Sequence, residues 1–133
     1  MKMKKIDKLE LEKEVMDWKF KNRPSERLGQ MLLDLHDNIL LHRNFQGYRD
    51  ELKEEMRGAS LVRLLKSGMR SYCPKDGRPM AFSYLTQCIF RNYITQLRNY
   101  FRRLNKWQAW VKDQVGYDFD ISEGQDVVKE KYK

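Results

Sequence analysis

Apolar residues recur at helical spacing along most of the chain. From about Asp7 to Phe20, Leu11, Val15 and Trp18 form a stripe at intervals of three and four, the signature of one buried helical face. Asn22 to Ser25 interrupts it at Pro24, and Ser25 is placed to cap a second helix carrying Leu28, Met31, Leu32, Leu35 and Ile39. Phe45, Gln46, Gly47 and Tyr48 form the next break, with Gly47 free to take the left-handed backbone. A third helix is predicted from about Arg49 to Ser67, with Leu52, Met56, Ala59, Leu61, Leu64 and Leu65 available for packing, and Gly68 ends it. Ser67 to Pro79 is dense in turn residues. The last helix is predicted from Ala81 to about Val111, with Leu85, Ile89, Tyr93, Leu97, Tyr100 and Leu104 toward the core. No strand-type alternation or internal repeat is present. The expected fold is all-α, about four helices over residues 1–112, followed by a polar, acidic and mobile tail at 113–133.

Charge separates these segments. Residues 1–55 hold 12 basic and 12 acidic residues; residues 56–112 hold 12 basic residues against Asp76 alone; residues 113–133 hold 3 basic and 6 acidic ones. The formal net charge of +8 is therefore concentrated in the second half, which points to one docking face for a polyanion rather than a uniformly basic coat. The run Ala81 to Lys112 contains no Asp or Glu. On a helical wheel Gln87, Arg91, Ile94, Thr95, Arg98 and Arg102 fall opposite the apolar stripe, as a row of donors suited to phosphates and base edges. Phe90, Tyr93, Tyr100, Phe101, Trp107 and Trp110 flank it and are candidates for stacking on unpaired bases. Lys75 and Arg78 are expected at the start of this helix, where free amides also favour phosphate.

Other chemistry is scarce. Cys73 and Cys88 cannot build a disulfide framework or a four-thiolate metal site and read as reduced, Cys88 as buried. His36 and His42 are not spaced as a helical metal pair. No phosphate-binding glycine loop or nucleophile motif is present, and the basic half has too few carboxylates for a metal-dependent nuclease. A binding role is expected, with no catalytic residue, cofactor or metal. No apolar run approaches the roughly 18 residues of a membrane span, so a soluble intracellular protein without a membrane partner is expected.

The order of features resembles the second conserved region of bacterial sigma factors. More narrowly, it is similar to the late-promoter sigma factors of large tailed (myovirus-type) bacteriophages. The resemblance covers about Met16 to Trp110 and rests on Asp17, Trp18 and Lys19; on Phe45, Gly47 and Tyr48; on Lys53, Glu55 and Met56; and on Ser83, Tyr84, Leu85, Thr86 and Gln87. It implies a late-transcription specificity subunit that binds the host RNA polymerase core and directs it to AT-rich late promoters, in the cytoplasm of the infected bacterium. By position it implies contact with the clamp helices of the largest core subunit through Leu52, Lys53, Glu54, Glu55, Met56, Arg57 and Arg63. It implies promoter DNA, chiefly the non-template strand of a −10-like element, at Lys75, Arg78, Tyr84, Thr86, Gln87, Phe90, Arg91, Asn92, Thr95, Arg98 and Arg102. Where many sigma factors carry adjacent tryptophans at the melting point, this chain has Gln87 and Cys88. A sliding-clamp contact or a coactivator belongs to the phage family, and Tyr117, Phe119 and Ile121 are the candidates for the clamp.

Two other classes fit the same residues. One is a free-standing module for single-stranded nucleic acid or RNA; the other is a helical interaction protein whose basic face meets an acidic partner.

Overall fold

The computed structural model describes residues 3–74 and 78–115. Among these the fold is all-helical: α1 (Lys8–Lys21), α2 (Glu26–Leu40), a short 3-10 turn (Arg43–Phe45), α3 (Asp50–Arg63) running on into one π turn (Leu64–Gly68), and α4 (Ala81–Val115). Lys75, Asp76, Gly77 and the tail from Gly116 onward, with Tyr117, Phe119 and Ile121, lie outside the described residues. The last helix runs past residue 112 to Val115, beyond the boundary expected from sequence.

Local chemistry sets the helix ends. The Asp7 carboxylate accepts from the amides of Leu9 (3.0 Å) and Glu10 (3.1 Å), satisfying donors that the first turn leaves open. Asn22 ends α1 in the left-handed region at φ 53°, and its N–H reaches back to Trp18 O. Ser25 Oγ accepts from Leu28 N at 3.0 Å and donates to Glu14 at 2.8 Å, so the cap of α2 also ties it to α1.

The core is built on α4, which packs against each of the other three helices. Ala81, Leu85, Ile89, Tyr93, Leu97 and Phe101 are buried at an interval of four, and Val111 is buried nearer its end. Phe101, not the expected Tyr100, continues the stripe, and Tyr100 and Leu104 are half-buried. Steps of four on a helix of 3.6 residues per turn drift around the axis. The buried face of α4 therefore turns along its length to meet successive partners. The segment between α2 and α3 closes the core from the side: Phe45 packs edge-on against Tyr93 at 5.4 Å, and Tyr48 lies against Phe101.

α3 contributes less apolar surface. Its buried positions are Met56 and Ser60, followed by Leu64 in the π turn, while Ala59 and Val62 are exposed. Ser60 is buried because it completes a polar chain. The carbonyl of Leu32 can only accept, so His36 Nδ1–H donates to it at 2.7 Å, and Nε2 then accepts from Ser60 Oγ at 3.0 Å. Asn92 Nδ2 donates to Ser60 Oγ at 3.2 Å, so α2, α3 and α4 are joined through a chain of buried and partly buried hydrogen bonds.

Candidate nucleic-acid interface

The position of α4 is fixed first at its N-terminus. Glu12, on α1, accepts from Ala81 N at 2.8 Å and from Tyr72 OH at 2.7 Å, and Tyr72 OH in turn accepts from Met80 N at 3.1 Å. A carboxylate of the protein itself thus takes the first amide of the helix, that of Ala81, and complements the helix dipole. Of the amides expected to favour a phosphate there, that of Ala81 is already bonded within the protein. Burial and Glu12 push the Tyr72 phenol up to about 12. Arg78 is exposed just before the helix.

Further along, Gln87, Arg91, Arg98 and Arg102 are exposed and lie within about 60° of one another around the helix axis. Arg91 Nη2 reaches Gln87 Oε1 at 3.4 Å, a contact that aligns the two side chains along the surface. Thr95 and Ile94 are half-buried between them. No carboxylate lies in the helix from Ala81 to Lys112, so no acid of that stretch neutralises this face.

The remaining α4 candidates are turned to protein partners. Tyr84 is half-buried, donates to Gly68 O at 2.8 Å and lies against Tyr72. Burial raises the Tyr84 phenol, with Cys88 adding to the shift. Thr86 Oγ1 donates to Phe82 O within its own helix at 2.7 Å. Phe90 is half-buried against Phe45 (5.2 Å) and His42 (5.6 Å), and Asn92 faces Ser60. Tyr93 and Phe101 are core residues and are unavailable for stacking. Cys88 is half-buried rather than buried, and Cys73 is exposed; both are free thiols.

On α3, Glu54, Glu55 and Arg63 are exposed, and Leu52 and Lys53 are half-buried. Met56 is 1% exposed, which corrects its expected place on a docking surface: it fills the core. Arg57 Nε is 2.9 Å from Asp37 Oδ1, in an ion-pair cluster with Lys4 on the α2 side. Lys53, Glu54 and Arg57 border an open groove of about 500 Å³ with Asp37, Leu40 and Asp50. Glu54 thus lies on the side of α3 that faces α2, whereas Glu55 shares a groove with Arg103 of α4.

Sequence reading missed three residues that position this face: Glu12, Tyr72 and Ser60. Glu12 precedes Ala81 by 69 positions, and no local pattern marks such a cap. No group of three or more His, Cys, Asp or Glu among the described residues is placed to hold a metal ion. No helix among them is long and apolar enough to cross a membrane. No protein-family model, curated protein or solved structure matches the chain.

Proposed function

We propose that the protein is a sigma-type specificity subunit: it hangs on a bacterial RNA polymerase core through α3 and grips an unwound promoter strand with α4. The observation that carries this reading is the shared exposure of Gln87, Arg91, Arg98 and Arg102 on one side of a helix whose first 32 positions, Ala81 to Lys112, lack a carboxylate. Phosphates of a single strand meet the guanidinium groups, and Gln87 offers both a donor and an acceptor to a base edge. TA steps unstack at low cost, so a surface that only holds strands once separated favours sequences that contain them.

In this reading Glu54, Glu55 and Arg63, with Lys53 beside them, form the polymerase-facing surface. Phage late transcription within an infected bacterium, a sliding clamp and a coactivator belong to the same proposal and rest on the resemblance described above.

The decisive experiment is transcription from AT-rich promoters by a bacterial core RNA polymerase with and without the protein, paired with retention of the core on the immobilised protein. Retention and promoter-dependent transcripts are expected. A folded protein that leaves core polymerase in the flow-through removes the proposal. Strong, salt-sensitive binding to oligonucleotides with no retention would instead identify a free-standing single-strand module.

A further inference from the structure

We infer that Trp107 and Trp110 form a stacking platform for unpaired bases at the far end of the α4 track, so that one nucleic-acid strand follows this helix from Gln87 to its last turns. The inference deepens the proposed strand contact of α4 and rests on that reading.

Burial separates these two rings from every other aromatic that sequence nominates on α4. Tyr93 and Phe101 are in the core, Phe90 packs on Phe45 and His42, and Tyr100 is half-buried edge-on to Phe101. Trp107 is 50% exposed and Trp110 60% exposed, whereas Trp18 is 5% exposed beneath Arg70.

Helix geometry then links the indoles to the basic face. Side chains four apart form continuous ridges along a helix. One ridge of α4 is Gln87, Arg91, Thr95, Asn99, Arg103 and Trp107; the ridge beside it is Ile94, Arg98, Arg102, Lys106 and Trp110. Both carry cations and polar donors and both end on an exposed indole. At 1.5 Å and 100° per residue the track from Gln87 to Trp110 is about 35 Å long along the axis and winds about 140° around it. Two carboxylates border it: Glu55 lines the groove that Arg103 shares with α3, and Asp113 lies one turn beyond Trp110, where the track ends.

Chemistry selects the occupant. A partner helix or a lipid surface calls for aliphatic side chains beside the aromatics. The exposed large apolar residues of α4 among those described are Trp107 and Trp110 alone, set among Arg102, Arg103, Lys106 and Lys112. Flat rings between cations fit alternating bases and phosphates.

The test titrates the full chain with a short oligodeoxythymidine and with a duplex of equal length at low salt, reading indole emission and affinity. The single strand is expected to quench the wild-type emission. Trp107→Ala with Trp110→Ala should bind it about tenfold more weakly, Trp107→Phe with Trp110→Phe should restore most of that loss, and duplex affinity should move little. Unchanged single-strand affinity in the alanine variant, or an equal loss for duplex and single strand, overturns the platform. So does a variant that loses only polymerase retention, which would mark a protein contact. Quenching that persists in a protein unable to retain core polymerase sinks the sigma-type reading and leaves the platform standing.

Discussion

The carboxylate of Glu12 lies 2.8 Å from the amide nitrogen of Ala81, joining the first helix to the first residue of the last one. The same carboxylate accepts from Tyr72 OH, so one acidic side chain sets where α4 begins and how the preceding loop approaches it. The direction in which the basic face points depends on this junction.

Glu12→Ala should therefore destabilise the fold by about 1–3 kcal/mol, since it leaves a helix terminus and a buried hydroxyl without their partner. Glu12→Gln keeps an acceptor but loses the charge that complements the dipole, and should cost less than the alanine. Urea denaturation followed by far-ultraviolet circular dichroism checks both. Equal losses for the two substitutions would remove the charge from the explanation.

Alkaline pH acts on the same junction. The Tyr72 phenol is raised from 10.0 to about 12, and burial raises Tyr93 and Tyr84 in the same direction. The unfolded chain releases these protons first, so the stability they contribute is complete below pH 10 and is lost as pH rises from 10 toward 12. Tyr72 contributes to that loss. Tyrosinate absorbance against pH, with and without Tyr72→Phe, measures it.

At the acid side the interior chain of His36, Ser60 and Asn92 governs. Burial, reinforced by the nearby Arg57 guanidinium, lowers the His36 pKa below its ordinary 6.5. The unfolded chain therefore takes up a proton that the folded one refuses. The stability from neutral His36 is complete above pH 6.5 and declines as pH falls below it. Ser60→Ala leaves His36 Nε2 and Asn92 Nδ2 without this partner and should cost about 1–3 kcal/mol at neutral pH. Thermal melts across the acid range test both statements.

Arg91→Glu with Arg98→Glu should leave folding and core-polymerase retention intact, because both side chains are exposed. Promoter opening should fall by at least about tenfold, and the salt dependence of strand binding should weaken by about one unit of slope for each arginine that meets a phosphate. Permanganate reactivity of unpaired thymines reports the opening. Undiminished reactivity would remove α4 from the strand contact.

Glu54→Arg with Glu55→Arg tests the other helix. Both residues are exposed, so the double variant should fold normally and lose core retention by at least about tenfold, while oligonucleotide binding by α4 is preserved. A matched pair of retention and anisotropy measurements separates the two effects.

The helices and the outward face of α4 were legible in the sequence because both follow from local rules. Ser25 caps the second helix as its position predicts, and the apolar intervals mark the inward stripes. Arginines without a carboxylate nearby stay in water because burying an unpaired charge is costly, so Gln87, Arg91, Arg98 and Arg102 could be placed on the surface from their spacing alone. What tertiary structure decided is which neighbouring side chains remain available. Asn92 and Arg91 are adjacent in the chain, yet one faces Ser60 on α3 and the other faces solvent. Met56 stands next to Glu55 and belongs to the core, and Phe90 is half-buried against Phe45 while Trp107 and Trp110 are 50% and 60% exposed. Those outcomes depend on contacts across tens of residues, where the direction of one helix meets the shape of another, and periodicity along a single helix carries no record of its partner.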